Sequence, residues 1–257
     1  MSPDVIAHRG FAGTFPENTV PAVTAAGLHP DTHTVEVDTM PAADGTPVVF
    51  HDSRLDERDD GSEGITDAEG VVWETPLETV AGAEVLDSGF TVPTLAEVVE
   101  AVPPGVRLNV ELKNPGTEDV WPASDSADLD TRRETWRPFV ERVIETCEPL
   151  CRVLYSSFFE AALAAADEVC GDRTAPIVPE GASEWGLDCV ERYGCTAFHP
   201  AKEAVFADPS LVGRARDHGC TVNAWTARTW HDVRRLREAG VDGVVADYPL
   251  LTIAGGR

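Results

Sequence analysis

Short apolar runs rich in β-branched residues recur along the chain and alternate with segments whose apolar positions follow helical spacing. A short apolar run of this kind predicts a buried strand, and the longer segments between the runs predict amphipathic helices. The predicted strands are residues 5–7, 34–37, 48–50, 108–112, 152–155, 175–178, 196–198, 221–224 and 241–246. Helical patterns cover residues 96–102, 136–147, 160–169, 211–218 and 231–239. Strands alternating with helices indicate βα units and a parallel sheet that is covered on both faces.

At 257 residues the leading prediction is a single catalytic domain, residues 1–257, folded as a TIM-type (β/α)8 barrel. A doubly wound open sheet is the alternative. The nine predicted strands are one more than the barrel needs. The chain between the second and third runs is too short for the crossover helix that parallel strands require, which explains the extra strand. Asp44-Gly45 lies there instead and is typical of a two-residue hairpin turn. Such a turn would set Asp38 opposite His51 and fold His51 back over the barrel mouth.

Residues 52–87 carry twelve carboxylates, with Arg54 and Arg58 as the only lysine or arginine residues in the stretch. This composition favours loops over a regular element. We therefore predict a small acidic insertion at about residues 52–92, placed after the hairpin and before the next helix.

The net charge of the chain excludes some classes of binding partner. The chain has 45 Asp and Glu against 20 Lys and Arg, a net charge of −25. A nucleic-acid-binding protein needs a basic stripe, and the sequence shows none. An anionic membrane surface would repel the protein, so we expect no nucleic-acid partner and no stable membrane association. The acidic excess is typical of a halophilic protein, whose self-repulsion is screened by high salt.

The remaining composition predicts a cytoplasmic protein. No run of about eighteen apolar residues and no basic start followed by an apolar segment is present. The six cysteines, at 147, 151, 170, 189, 195 and 220, form no C-x-x-C pair. We expect them to be small buried side chains in the reduced state rather than metal ligands or disulfides.

Chargeable residues stand at the carboxyl ends of several predicted strands, where barrel enzymes build their sites. Taken singly, each has an ordinary explanation as a loop histidine, a surface carboxylate or a cross-strand ion pair. Taken together, they would crowd one rim of the barrel, which is costly without a ligand. The short motifs are His8-Arg9-Gly10, Glu36-x-Asp38, His51-Asp52 and Glu111-x-Lys113.

The residue types at this rim suit phosphodiester chemistry. Glu36 and Asp38 point to the same side of a strand, and Glu111 from another strand completes a set of three carboxylates. An all-oxygen set suits Mg²⁺ or Ca²⁺ better than zinc. The cationic residues, Arg9 and Lys113, can contact phosphate oxygens, and the histidines, His8 and His51, can act as general acid and base.

The ordered motifs resemble the glycerophosphodiester phosphodiesterase family, a group of phospholipase C-like TIM barrels. The resemblance spans essentially the whole chain. It rests on the motifs above and on Pro16-Glu17-Asn18-Thr19, Asp44-Gly45, Leu55-Asp56, Pro93-Thr94-Leu95, Asn109-x-Glu111-x-Lys113, Ser156-Ser157-Phe158, His199-Pro200, Trp225-Thr226, Asp242-Gly243 and Asp247-Tyr248-Pro249.

The resemblance implies metal-dependent hydrolysis of a small glycerophosphodiester to glycerol phosphate and an alcohol. It implies a catalytic pair of histidines, His8 on the base side and His51 on the acid side. The divalent-metal ligands would be Glu36, Asp38 and Glu111, and the phosphate contacts Arg9 and Lys113. Supporting roles fall to Glu17, Asn18 and Trp225, and Asp52 either orients His51 or caps the turn.

Two other functions stay open. One is a lysophospholipase D-type or phosphoinositide-cleaving phosphodiesterase, which an apolar entrance would favour. The other is a non-catalytic barrel that binds glycerophosphodiesters.

Overall fold

Nine strands form one sheet in the computed structural model, which describes residues 2–118 and 128–249. Eight strands run parallel to their barrel neighbours and one is antiparallel. In chain order they are β1 Asp4–Ala7, β2 Thr32–Pro41, β3 Pro47–Val49, β4 Arg107–Leu112, β5 Val153–Ser157, β6 Thr174–Val178, β7 Ala197–Pro200, β8 Thr221–Ala227 and β9 Gly243–Ala246.

Helices follow most of the strands and pack on the outside of the sheet. They are α1 Val20–Leu28, α2 Leu77–Val80, α3 Leu95–Ala101, α4 Leu129–Cys147, α5 Glu160–Cys170, α6 Ser183–Tyr193, α7 Lys202–Ala207, α8 Leu211–Asp217 and α9 Trp230–Ala239, with short 3₁₀ turns at His8–Gly10 and Val72–Glu74. Capping boxes begin two of them: Thr94 with Glu97 at α3 and Thr229 with Asp232 at α9. Each box satisfies backbone N–H groups that a helix start otherwise leaves without partners.

The sheet closes on itself. Strand order is β1-β9-β8-β7-β6-β5-β4-β2-β3, and β1 also pairs with β2, so eight parallel strands form a ring with β3 outside it. The prediction of a (β/α)8 barrel is confirmed, and the open-sheet alternative is wrong. The main hydrophobic core lies between this ring and its helices.

The hairpin after β2 exists, but its predicted register is wrong by one residue. Thr39 pairs with Val49 and Met40 with Val48, and the peptide N–H of Phe50 donates to Asp38, so Asp38 faces Phe50 rather than His51. The cause is the turn, which has three loop residues instead of two. Ala42 N–H donates to Thr46, Gly45 N–H donates to Ala42, and Gly45 has φ +82°. A type I turn followed by a left-handed glycine is a common three-residue hairpin loop.

The segment after the hairpin packs as a compact excursion with a hydrophobic cluster of its own. Apolar side chains of the hairpin, among them Met40 and Phe50, pack there against buried residues of the excursion such as Leu55, Val72 and Val85. Isolated bridges such as Arg54 with Val71 replace regular strands. The excursion therefore lies on the same end of the barrel as His51.

The cysteines follow the expectation in part. All six are free, and Cys147, Cys189, Cys195 and Cys220 are buried. Cys170 is half-buried and Cys151 is exposed, contrary to the prediction, because Cys151 lies in the connection between α4 and β5 rather than in either element. Within residues 2–118 and 128–249 no helix combines the length and apolar character that crossing a membrane requires.

Candidate active site

The predicted site residues meet at the carboxyl-terminal mouth of the barrel. His8 follows β1, Glu36 and Asp38 lie in β2, His51 follows β3, and Glu111 lies near the end of β4. A cavity of 180 Å³ opens between them. Its lining includes His8, Arg9, Glu36, His51, Glu111, Lys113 and Trp225.

The turn after β1 is held in an unusual backbone conformation that brings His8 and Arg9 onto the rim. Arg9, Gly10 and Phe11 all have positive φ, at +50°, +73° and +65°. A side chain at Gly10 would put its Cβ 2.8 Å from the carbonyl carbon of Ala22, so only glycine fits against the following helix. Left-handed non-glycine residues cost free energy and concentrate at functional sites.

Three buried carboxylates form the floor of the site. One oxygen each from Glu36, Asp38 and Glu111 lies within 4.8 Å of the others. Glu36 Oε1 and Asp38 Oδ1 are buried and accept no hydrogen bond from the described residues. Buried carboxylate oxygens without donors are costly, and a divalent cation among them would supply the missing partner. The residues therefore fit a divalent metal ion.

The carboxylates have divergent acidities. Burial and the neighbouring charges of Asp38 and Glu111 raise the pKa of Glu36 well above its usual range. Burial also raises the pKa of Glu111, although Lys113 opposes the shift. For Asp38 the effect of burial is outweighed by Arg9 and the other cations, which hold its pKa below its usual range. Such divergence within one cavity is typical of functional sites.

Arg9 and Lys113 place two cations beside the carboxylates. Arg9 Nε lies 3.1 Å from Asp38 Oδ2, and its backbone N–H donates to Glu36 Oε2 at 2.9 Å. Lys113 Nζ lies 3.2 Å from Glu111 Oε1. Burial lowers the pKa of Lys113, but Glu111 and Asp38 outweigh it, so the pKa is raised and the ammonium stays charged.

Glu17 and Asn18 hold this arrangement from behind. Arg9 donates to Glu17 at 2.9 Å, and Arg58 from the excursion donates to the same carboxylate at 3.1 Å. The Asn18 amide donates to Asp38 Oδ2 at 2.8 Å and fixes that carboxylate in place. Asn18 has φ +60°, a conformation that asparagine tolerates better than most residues.

His8 has a partner, Asp247, that the sequence placed in a motif but gave no role. Its Nδ1 lies 2.6 Å from Asp247 Oδ1, and Arg228 Nε donates to the other oxygen of Asp247 at 2.9 Å. Burial and the charge of Arg9 lower the pKa of His8, while Asp247 partly offsets them. Asp247 directly follows β9, so the same rule that located the other site residues at strand ends would have indicated it.

His51 also has a carboxylate on Nδ1. Asp52 Oδ1 lies 2.9 Å away and in addition accepts the backbone N–H of Asp59 at 3.2 Å. Asp52 thus contacts the histidine and fixes the turn, so both alternatives raised by the sequence hold together. Asp59 and these two residues form a second group of potential metal ligands, but it shares His51 with the main site.

The aromatic wall is formed by Trp225 and Phe158. Their rings meet edge to face at 5.5 Å, and Trp225 Nε1 donates to the backbone oxygen of His199 at 2.8 Å. Beyond Phe158 lies a larger cavity of 590 Å³ that shares His51 and Lys113 with the smaller one. Its other walls are Met40, Ser53, Arg54, Asp59, Val71, Trp73, Asn114, Glu118 and Phe159.

Known proteins resemble this chain in both sequence and fold. The model of the glycerophosphoryl diester phosphodiesterase family matches residues 8–251. A glycerophosphodiester phosphodiesterase from Caldanaerobacter subterraneus subsp. tengcongensis is 27% identical, over 95% of this chain and 94% of its own. An Oleispira antarctica phosphodiesterase, solved with the product sn-glycerol-3-phosphate, is 29% identical with a TM-score of 0.76, over 96% of this chain and 94% of its own.

A glycerophosphodiester phosphodiesterase from Thermotoga maritima, 22% identical, shares the fold with a TM-score of 0.71, over 96% of this chain and 95% of its own. The ordered motifs, the closed barrel with its converging strand ends and the match over nearly the whole length agree. This chain is an enzyme of the glycerophosphoryl diester phosphodiesterase family.

Proposed function

We propose that this enzyme hydrolyses small glycerophosphodiesters to sn-glycerol 3-phosphate and an alcohol, with a divalent metal ion, Mg²⁺ or Ca²⁺. The observation that carries the proposal is the cluster of Glu36, Asp38 and Glu111, in which Glu36 Oε1 and Asp38 Oδ1 are buried and accept no hydrogen bond from the described residues. The product assignment draws on the Oleispira antarctica phosphodiesterase, which binds sn-glycerol-3-phosphate.

The three carboxylates would hold the metal ion, and Mg²⁺ and Ca²⁺ both prefer such oxygen ligands. When bound, the ion supplies positive charge to the phosphoryl oxygens of the substrate. Lys113 and Arg9 add positive charge from the chain itself. Because both cations are buried beside the cluster, their effect on a phosphate is larger than it would be in water.

His8 is the proposed general base. Asp247 accepts the Nδ1 proton at 2.6 Å, which leaves Nε2 without a proton and able to accept one. Nε2 lies 4.0 Å from Glu36, on the side of the carboxylate cluster. The lowered pKa keeps His8 neutral near pH 7, as a base requires. It would deprotonate either water or the neighbouring hydroxyl of the glycerol, which would give a cyclic phosphate first.

His51 is the proposed general acid. Its Nδ1 contacts Asp52 at 2.9 Å, which orients the ring. His51 lines both the small cavity and the larger one beyond Phe158. The leaving alcohol therefore has room on the His51 side, where its oxygen would take up the proton.

The larger cavity also bears on the lipid alternative. It has apolar walls at Met40, Val71 and Trp73, which would accept part of an acyl chain. Asp59 and Glu118 line the same cavity, and an apolar tail would bury their charges at a cost. The net charge of −25 disfavours an anionic inositol phosphate. We therefore favour a small polar alcohol over the lysophospholipase D-type and phosphoinositide-cleaving reactions. A purely binding barrel would not need two histidines that each carry a carboxylate on Nδ1.

We further propose that the enzyme works at high salt and in the cytoplasm. The net charge of −25 supports the first point, and six cysteines without a disulfide support the second.

The decisive assay measures release of glycerol phosphate from glycerophosphocholine in molar salt. Activity should vanish in EDTA, return with Mg²⁺ or Ca²⁺ and be lost in Glu36→Ala. Glu97→Ala is a control, because Glu97 lies in the α3 capping box, away from the site. Well-folded protein without activity on several diesters and metals would refute the proposal and favour the binding barrel.

The general-acid role has its own test. An aryl leaving group needs no proton, whereas the alkoxide of a natural ester does. His51→Ala should therefore lose roughly 100-fold or more on glycerophosphocholine and far less on an activated aryl ester. Equal retention of activity on both esters would exclude His51 as the acid.

A further inference from the structure

The opposite mouth of the barrel, at the amino ends of the strands, holds a cavity of mixed polar and apolar lining that the reaction does not use. Its volume is 470 Å³. Residues at or just before the strand starts line its rim, among them Asp4, Arg107, Arg152 and Asp242, and apolar side chains such as Ile6 and Leu154 also line it.

Two arginines stand side by side on its rim. Arg107 begins β4 and Arg152 immediately precedes β5, and the N–H of Leu108 donates to the oxygen of Arg152 at 3.1 Å. Neighbouring strands lie about 4.8 Å apart, so the two side chains leave adjacent positions of the sheet and enter one cavity. Like charges at such positions destabilise a sheet.

Neither guanidinium has an ion pair, hydrogen bond or aromatic contact with residues 2–118 and 128–249. Of the two acids in the same cavity, Asp242 pairs with Arg216 at 2.6 Å. Asp4 lies 3.7 Å from His33, a contact that compensates its charge only when His33 is protonated. Arg107 and Arg152 are both exposed at the rim. The cavity thus presents two guanidinium groups that no carboxylate among the described residues contacts.

The deep wall of the cavity is polar as well. Asn109 is 2% exposed, and its Oδ1 accepts no hydrogen bond from the described residues. Asn223 Nδ2 lies 3.1 Å from His199 Nε2, which places the ring proton on His199 Nδ1 when the amide donates. Asn109 and His199 also line the active-site cavity, so the two cavities share a wall along the barrel axis.

We propose that this cavity binds a phosphate-class oxyanion, either a free inorganic ion or a phosphomonoester. The forks of Arg107 and Arg152 would hold the phosphate oxygens, since guanidinium groups match that geometry in bidentate fashion. Thr34, which pairs with Arg107 between β2 and β4 and lines the same cavity, offers a hydroxyl group as a further donor. The site is distinct from the catalytic phosphate contacts, which lie at the other end of the barrel.

Equilibrium dialysis with radiolabelled inorganic phosphate tests the proposal. The full-length protein is held in EDTA at constant ionic strength, set with potassium chloride. Native protein should bind one equivalent, in this cavity, because without metal the three carboxylates at the other mouth repel an anion. Arg107→Gln/Arg152→Gln should weaken this binding roughly tenfold or more. Lys113→Met should leave it unchanged.

Arg132→Gln is the matched control, because Arg132 also has no partner among the described residues but lies on α4, away from the cavity. It should bind one equivalent, like native protein. The single variants Arg107→Gln and Arg152→Gln give an intermediate loss if the double variant does not fold. A folded double variant that binds as many equivalents as native protein would overturn the proposal.

Repeating the dialysis with labelled sn-glycerol 3-phosphate identifies the source of the anion. A loss of monoester binding in the double variant shows that the cavity takes a phosphomonoester. A loss confined to inorganic phosphate shows that it takes the free ion. Both results support the site, and an unchanged double variant with both probes refutes it.

Discussion

Replacing Glu36 by glutamine should stabilise the enzyme when no metal ion is bound. Glu36 is 4% exposed, and the nearest oxygens of Asp38 and Glu111 lie within 4.8 Å of its own. Two unit charges at that distance repel by about 3.5 kcal/mol at an effective dielectric constant near 20. Attraction to Arg9 offsets part of this repulsion. A net destabilisation of roughly 1–3 kcal/mol therefore remains in the metal-free protein.

Glutamine removes the charge and keeps the carbonyl oxygen that accepts the Arg9 backbone N–H. For a domain of this size a gain of 1 kcal/mol raises Tm by roughly 2–4 °C. We expect Glu36→Gln to melt about 2–12 °C above native protein in EDTA. Thermal unfolding followed by circular dichroism in molar salt measures this difference.

The matched control is Glu160→Gln. Glu160 is also buried, at 6% exposure, but it accepts hydrogen bonds from Arg192, Tyr193 and Trp185. Its charge is compensated, so the same substitution there should lower stability, by roughly 1–3 kcal/mol. The two substitutions are chemically identical and should have opposite signs.

Bound metal ion should reverse the order of the two melting temperatures, so that native protein melts above Glu36→Gln. A ligand at 100 times its Kd stabilises by about 2.7 kcal/mol, so saturating Mg²⁺ or Ca²⁺ should raise the Tm of native protein. Glu36→Gln should gain much less, because one of its three anionic ligands is gone. If Glu36→Gln melted below native protein in EDTA, as the control does, the three carboxylates would not be a strained metal site. An equal metal-induced gain in both proteins would refute the reasoning as well.

Three further predictions concern other parts of the molecule. Asp247→Asn should lower kcat by roughly 100-fold or more with little change in KM in a steady-state assay, because the amide no longer fixes the His8 tautomer. The surface variant Asp208→Asn should be close to native in the same assay. Burial lowers the pKa of His199 to about 4 from an unfolded value near 6.5, so the unfolded state binds more protons in this range. The free energy of unfolding should therefore fall by about 3 kcal/mol in total as the pH falls from 6.5 through 4. Urea unfolding at pH 4.5 and 7 should show a smaller pH dependence for His199→Gln, and an unchanged dependence would exclude His199 as the cause. At a net charge of −25 the Tm should also rise steadily between 0.1 and 2 M KCl, and a flat profile would exclude a halophilic protein.

The sequence determined the fold and most of the site because both follow from local patterns. The period of the apolar runs identified strands and helices, and short crossover lengths separated the hairpin from the barrel strands. In a parallel barrel all strands point the same way, so residues that end strands must meet at one mouth. For that reason Glu36, Asp38 and Glu111 could be grouped from two separate motifs.

Only the tertiary structure decided the hydrogen-bond partners of the site residues and the register of the β2–β3 hairpin. The turn after Pro41 has three loop residues because Gly45 takes a left-handed conformation there, and the Asp44-Gly45 pair fits a two-residue turn equally well. Asp247 meets His8 because β9 pairs with β1 at barrel closure, although 239 residues separate them in the chain. Arg107 and Arg152 at the opposite mouth likewise become neighbours only because β4 pairs with β5. Whether a charge is compensated is set by neighbours across the sheet, and a linear sequence does not contain those distances.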